Sequence, residues 1–333
     1  MSTPVVFDTC ALHRQRERHA AGLMVDPFLL DVVHTRLLDR LDDIKRRFPR
    51  VLDVGARHGT LARALLARDP ETEVVSADPS PTLARHAAPP RVVSALELLP
   101  FADHAFDAVV SALSLHHVND VPGALVQMRR ALKPDGLLLV AFPGGDTLVE
   151  LRRALTMAEA EVTGGAAPRV APFVDVRDLG GLLQRAGFAL PVVDVDRLTL
   201  TYPHPLALLA DLRRAGEANV LEERARRPLR RDVLMAMAER YLADDVDARG
   251  RIRVTVDVLF ATAWSPHASQ QQPARRGSGS VNLAKAMGVD PAILSGERQR
   301  AEGQAGGREP DDDREADDKI GRASCRERVC VGV

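Results

Sequence analysis

Short apolar runs alternate with helix-length segments along residues 50–142. Five of these runs have the length and composition of buried strands, and they lie at residues 50–54, 73–77, 91–95, 106–112 and 137–142. Residues 60–67 and 121–132 have a helical pattern, and residues 133–136 have the composition of a turn. Strands that alternate with helices predict an α/β fold whose mostly parallel sheet carries helices on both faces.

Helical patterns also flank this alternating region. A basic segment at residues 7–19 precedes a helix that starts at Asp26-Pro27, so we expect residues 1–48 to form a helical lid. The pattern after the fifth strand predicts helices at 147–162, 176–186, 205–215 and 231–243, with strands at 190–201 and 251–264. The helices of this region predict an insertion that caps a domain of residues 49–284.

Composition narrows the classes of partner. Lys and Arg total 45 and Asp and Glu total 46, and this balance argues against a nucleic-acid partner. The chain has no apolar run long enough to span a membrane and no secretory signal pattern, so we expect a bacterial cytoplasmic protein. Residues 285–333 are polar and charged, which predicts a disordered tail. Residues 320–333 look like a translated sequencing adapter, and we interpret them as an artefact that includes Cys325 and Cys330.

A glycine turn follows the first strand. The segment runs from Asp53 through Gly55 and Arg57 to Gly59, and a helix follows it. Ligands of open α/β sheets bind beyond the carboxyl ends of the strands, where glycines let the backbone approach a ligand closely. The spacing excludes both a dinucleotide fingerprint and a phosphate P-loop. Asp78, which lies just before Pro79 after the second strand, is placed to bind a ribose diol.

This ordered set of motifs resembles the class I methyltransferases. Asp53, Gly55, Arg57 and Gly59 match the family's Asp-x-Gly-x-x-x-Gly motif, and residues 95–107 resemble its adenine-binding stretch. The resemblance implies that S-adenosylmethionine (SAM) is the cofactor. Its remaining contacts would come from Asp78, Pro79, Ala95, Leu96 and Ser111. The basic first helix, with Arg14, Arg16 and Arg18, would either close over the cofactor or present a solvated charged face.

Narrower motifs resemble the family of the arginine-hydroxylase assembly factor of mitochondrial complex I. They include residues 111–120, 142–152 and 171–188, and more distantly the chain is similar to the malonyl-carrier-protein methyltransferase of biotin synthesis. Two positions depart from the family pattern. Family members usually have a glycine where Arg57 stands, and they often have an acid where Ala95 stands. The resemblance implies a partner that is a respiratory NADH dehydrogenase subunit, a carrier protein or a small molecule.

Three functions stay open at this level. Methyl transfer mainly requires alignment of donor and acceptor, with His116 or His117 as a general base. Arginine hydroxylation would call for a redox cofactor or metal, and His116, His117 and Asp146 are the nearest candidates for a site of two histidines and one carboxylate. Adjacent strand residues point to opposite faces, so we predict no metal site. A non-catalytic assembly chaperone is the third function. Asp146 is a candidate catalytic residue, a gate, or the N-cap of the helix predicted at 147–162.

Overall fold

The structure is a computed structural model, and it describes residues 5–25 and 28–271. Within these residues the strands are β1 (Arg50–Val54), β2 (Glu73–Asp78), β3 (Arg91–Val93), β4 (Phe106–Ala112), β5 (Leu132–Pro143), β6 (Ala189–Tyr202) and β7 (Ile252–Trp264). The helices are α1 (Thr9–Val25), α2 (Phe28–Asp42), α3 (Thr60–Arg68), α4 (Pro81–Ala84), α5 (Val121–Ala131), α6 (Val149–Thr163), α7 (Val176–Arg185), α8 (Pro205–Arg214) and α9 (Arg231–Asp244). The tail at 285–333 and its cysteines lie outside this range.

The seven strands form one sheet in the order β3-β2-β1-β4-β5-β7-β6. The first five strands along the chain pair with one another in parallel, while β7 runs antiparallel to both β5 and β6. Parallel strands need crossover connections, and α3 and α5 provide two of them. The predicted mostly parallel α/β sheet is therefore confirmed.

Alternate residues of the central strands face two separate cores. Val51 packs with α2, α3, α6 and α9 on one face, whereas its neighbour Leu52 packs with α5 and α7 on the other. The same alternation separates Val110 from Val109 in β4. A strand period of two thus buries both faces of the sheet and confirms the helical layers on each side.

Several local predictions differ from the structure. The third strand ends at Val93 rather than at residue 95, and the helix predicted at 147–162 begins at Val149. Residues 133–136, predicted as a turn, belong to β5, where they form a bulge between the pairs Phe106–Leu132 and Ala108–Leu137. Asp135 takes the positive φ of 60° that this bulge requires. The first helix extends to Val25 rather than ending at residue 19. None of the helices in the described ranges is both long and apolar enough to cross a membrane.

The N-terminal helices pack on the sheet domain. Leu30, Val33 and Leu37 of α2 are buried in the core that also contains β1 and β4. Helix α1 contacts α4 and α8, and Glu17 accepts hydrogen bonds from the hydroxyls of Ser80 and Thr82. The first helix therefore lies beside the carboxyl end of β2, which is one edge of the predicted cofactor site.

Candidate active site

The β1–α3 turn has the backbone conformation that its glycines allow. Gly55 and Gly59 have φ values of 72° and 76°, in the left-handed region that favours glycine. A Cβ on Gly55 would stand 2.2 Å from the Cβ of Ser114, so no larger residue fits there. The N–H groups of Gly55 and Ala56 both donate to the carbonyl oxygen of Ala77, which holds the turn against β2.

Arg57 occupies the middle of this turn and points into the protein. Its φ of 50° is also left-handed, and its N–H donates to Oδ2 of Asp78 over 2.8 Å. Its guanidinium donates to the carbonyl oxygen of Leu113 at 2.6 Å and to Oε1 of Glu217 at 2.9 Å. The side chain is 7% exposed, so this ion pair is largely shielded from solvent.

Asp78 ends β2 directly beside the glycine turn. Its other oxygen, Oδ1, accepts from the N–H of Ser80, and the residue is 2% exposed. Burial raises the pKa of this carboxyl, although Arg16 and its backbone hydrogen bonds act in the opposite direction. Pro79, which follows it, is half-buried. The structure thus brings Asp78 next to Gly55 and Arg57 at the edge that the sequence predicts.

Asp53 is placed differently from the other residues of the motif. Its carboxyl accepts a hydrogen bond from the N–H of Ala62 in the first turn of α3, and its Oδ2 has no partner among the described residues. Complete burial, together with the nearby charge of Asp78, raises its pKa to about 8. These contacts indicate that Asp53 supports the helix beneath the turn.

The remaining predicted cofactor residues divide into exposed and buried positions. Ala95 is exposed and its neighbour Leu96 is buried, just beyond β3. Ser111 is fully buried in β4, where its hydroxyl donates to the carbonyl oxygen of Val54 over 2.7 Å. Ser111 therefore ties β4 to β1, and the side chain of Leu96 lies close to Gly55.

Arg16 of α1 lies close to the charges of Arg57, Asp78 and Glu217. The residue is 6% exposed, and its Nη2 has no hydrogen-bond partner among the described residues. Burial lowers the pKa of its guanidinium, and repulsion by Arg57 adds to this, while Asp78 and Glu217 attract it. Arg14 and Arg18 are exposed. A buried cation with a free donor fits a carboxylate ligand.

The histidine pair lies in a 3₁₀ turn (Leu115–His117) that follows β4, not on the strand itself. The two rings lie on the same side, with centroids 4.1 Å apart. His116 Nε2 is 3.1 Å from Oε2 of Glu217, and His117 Nδ1 is 3.7 Å from the same oxygen. The expectation that the two side chains diverge is therefore wrong. It assumed the alternating side chains of a strand, whereas these residues form a 3₁₀ turn with three residues per turn.

The surroundings fix the protonation states of this cluster. Burial lowers the pKa of His117 well below its usual value, and the neighbouring charge of His116 adds to this effect. Burial alone would raise the pKa of Glu217, but His116, His117 and Arg57 together hold it well below the usual range. At neutral pH the cluster contains a neutral His117 beside an ionised carboxylate.

Asp146 lies apart from the histidines. Its side chain is 59% exposed and pairs with Arg197 of β6, which also binds Asp257. It does not cap α6 with its side chain, because that helix begins at Val149 after Leu148, whose φ is 58°. Only its carbonyl oxygen, which accepts from the N–H of Val149, contacts the start of the helix. The structure does not bring Asp146 into the site.

A cavity of about 360 Å³ extends from the cluster beneath the helical cap. Arg57, His116, His117 and Glu217 line its polar end. The remaining walls are mainly apolar and come from α2, α6, α8 and β7, for example Leu29, Leu151, Leu155, Leu208 and Val254. A mostly apolar chamber with a few converging polar groups is typical of a small-molecule or side-chain site.

Two residues of the site were missed or undecided in the sequence. Glu217 follows α8, where an acid is typical of a solvated helix end, and it lies 101 residues from His116. No local pattern distinguishes it. Arg16 differs from Arg14 and Arg18 only in the helical face that it occupies, so its burial required knowledge of how α1 packs.

Comparisons with known proteins identify the family of the chain. The family described as a methyltransferase domain matches residues 17–191, which is more than half of the chain. The mitochondrial arginine-hydroxylase NDUFAF5 of Danio rerio is 38% identical over 286 residues, covering 84% of this chain and 88% of that protein. Malonyl-[acyl-carrier protein] O-methyltransferase of Laribacter hongkongensis is 36% identical over 249 residues, covering 70% and 81%.

A solved structure supports the fold independently. The YcgJ protein of Bacillus subtilis superposes with a TM-score of 0.50 and 17% identity, and the match covers 71% of this chain and all of that one. At this identity the likeness shows the fold alone. The sequence matches confirm both resemblances, to the arginine hydroxylases and to the carrier-protein methyltransferases. The chain therefore belongs to the class I family of SAM-dependent methyltransferases.

Proposed function

We propose that this chain binds SAM at the carboxyl ends of β1 and β2 and transfers its methyl group to an acceptor in the cavity beneath the cap. The observation that carries the proposal is the position of the glycine turn and Asp78, which lie at one end of Arg57 while the cavity lies at the other. Bound SAM would supply an activated methyl group on a sulfonium. The residues described here would bind the cofactor and orient the acceptor.

The residues present fit this cofactor. Asp78 is placed to accept from a ribose diol, and Gly55 and Gly59 keep the turn free of side chains that would block close approach. The unpartnered Nη2 of Arg16 is suited to an amino-acid carboxylate. Because Asp78 is almost fully buried beside α1, we expect α1 to move when the cofactor enters.

The acceptor would meet His116, His117 and Glu217. His117 is neutral at physiological pH and can accept a proton from an acceptor that loses one. The names of the relatives supply two substrate classes for test, namely malonyl-[acyl-carrier protein] and an arginine. The apolar cavity walls favour an acceptor with an aliphatic portion in either class.

A second candidate, arginine hydroxylation of a respiratory-complex subunit, is favoured by one specific contact. Glu217 lines the cavity with an ionised carboxylate, and Arg57 binds only its Oε1, so Oε2 can pair with the guanidinium of a substrate arginine. Together with the identity to NDUFAF5, this supports a protein arginine as the substrate. Mass spectrometry of the subunit from cells with and without the gene tests it, and an unchanged arginine would contradict it.

The cofactor proposal is tested by calorimetric titration of the full chain with SAM. We expect Asp78→Asn to weaken binding at least tenfold, because it removes a charge-assisted acceptor worth about 1.5–3 kcal/mol. Asp103→Asn, at an exposed loop position, is the matched control and should bind as the wild type does. Thermal unfolding of each variant establishes that it is folded. Equal affinities in the two variants would contradict the assignment of Asp78.

A further inference from the structure

We infer that His116, His117 and Glu217 form a binding site for one divalent transition-metal ion at the polar end of the cavity. One candidate ligand atom from each residue lies within 4.8 Å of the other two. Two imidazoles and one carboxylate make an N₂O donor set that suits Fe²⁺, Co²⁺ or Zn²⁺. The inference does not depend on SAM binding. Glu217 pairs with Arg57 of the glycine turn, but none of the three residues contacts Gly55, Gly59 or Asp78 in the hydrogen bonds described above.

Two of the three ligand-atom distances are already close to those of a metal site. Ligand atoms that bind one metal at about 2.1 Å lie roughly 3–3.5 Å from each other in tetrahedral or octahedral sites. His116 Nε2 and Glu217 Oε2 are already 3.1 Å apart, and His117 Nδ1 is 3.7 Å from the same oxygen. The 3₁₀ turn sets this arrangement by bringing two adjacent rings to one side.

The ring nitrogens are available for coordination. Nδ1 of His117 is buried and has no hydrogen-bond partner among the described residues, although it faces Oε2 of Glu217. Both histidine side chains are 6% exposed. A buried acceptor without a partner is costly, and a metal ion would satisfy it. Phe7 packs edge-on against the His117 ring, which fixes the orientation of that ring.

The charges around the cluster leave one carboxylate oxygen free. Arg57 pairs with Oε1 of Glu217, whereas Oε2 faces the two histidines. Arg57 therefore holds the ligand carboxylate in place from behind, as outer-shell partners of metal sites do. The positive charges of Arg57 and Arg16 oppose a cation, so we expect affinity in the micromolar range rather than the tight binding of a structural zinc site.

The open side of the cluster faces the cavity. With three protein ligands, an ion would keep coordination positions for water or for a substrate group. All three residues line the 360 Å³ chamber, so an acceptor in the chamber would be within reach of those positions. The site would thus place a Lewis acid at the polar end of the acceptor pocket.

The test is a titration of the full, tag-free chain with Co²⁺, followed by visible absorption and by equilibrium dialysis. We expect one Co²⁺ per chain, with ligand-field bands that Zn²⁺ abolishes by competition. His116→Ala, His117→Ala and Glu217→Gln should each weaken binding at least tenfold. His86→Ala, which changes an exposed histidine outside the cluster, should bind Co²⁺ as the wild type does.

Two results would overturn the inference. One is the absence of stoichiometric Co²⁺ binding by the folded wild-type chain. The other is binding that the three substitutions leave unchanged. If Glu217→Gln does not fold, His117→Gln decides in its place, because it removes the buried ring nitrogen and leaves the Arg57–Glu217 pair intact. Circular dichroism without metal establishes the fold of each variant.

Discussion

The two halves of the site, on either side of Arg57, are built in different ways. The nucleotide half, with Gly55, Gly59 and Asp78, depends on backbone conformation within one strand–turn–helix unit and the end of the next strand. The cavity half depends on side chains of the 3₁₀ turn and the residue Glu217 that meet only through tertiary packing. A local unit can be recognised from a short motif, whereas a cluster assembled across 101 residues cannot.

The largest loss of stability is expected in the nucleotide half, from the addition of one methyl group. Gly55→Ala forces a Cβ to 2.2 Å from Ser114 and strains a φ of 72°, so we expect it to lower the free energy of unfolding by about 3 kcal/mol. Gly145→Ala is the matched control, because its Cβ meets no atom within 4 Å. Urea denaturation measures both, and equal losses would contradict a backbone-determined turn.

The cavity half should lose stability when the charge of Glu217 is removed. Glu217→Ala leaves the buried Arg57 without its carboxylate partner, and we expect a loss of about 2–3 kcal/mol, reduced from the fully buried case because Glu217 is a quarter exposed. Replacing both residues by methionine should recover at least half of the loss, since it removes the unpaired charge as well. A double variant that is as unstable as the single one would refute this pairing.

Asp53 should differ from the ligand-binding residues in its effect on the pH dependence of folding stability. Its pKa is about 8 in the folded chain and near 4 when unfolded, so between these pH values only the folded state keeps the proton. Stability therefore falls as pH rises through this window, by up to about 1.4 kcal/mol per pH unit, and levels off above it. Asp53→Asn should remove this slope. Denaturation at several pH values measures the free energy of unfolding of both chains. Equal pH dependence in the wild type and in Asp53→Asn would contradict the raised pKa.

The sequence predicted most of the fold because strand burial leaves a local pattern. The runs at β1 and β4 consist mainly of apolar or small residues on both faces, apart from Arg50, Asp53 and Asp107, and their bounds agree with the structure. The bulge in β5 was predicted as a turn, because Lys133-Pro-Asp-Gly is typical of turns whether or not the strand continues around it. Local composition does not encode that continuation.

The candidate site was predicted unevenly for the same physical reason. Gly55, Gly59 and Asp78 follow from a motif whose spacing has a backbone cause. His116 and His117 were found as residues, but their convergence depends on the 3₁₀ turn that ends β4. Asp146 is a candidate for the same site in the sequence, yet it pairs with Arg197 of β6 and lies apart from the histidines. Glu217 required the folded position of α8.

The central claim, that the two halves bind different ligands, is tested most directly by a crossed titration. Asp78→Asn and His117→Ala are each titrated with SAM and with Co²⁺. We predict that Asp78→Asn loses SAM affinity at least tenfold and keeps Co²⁺ binding, and that His117→Ala shows the reverse. Loss of both ligands in both folded variants would contradict two separate sites, and retention of both would contradict the assigned residues.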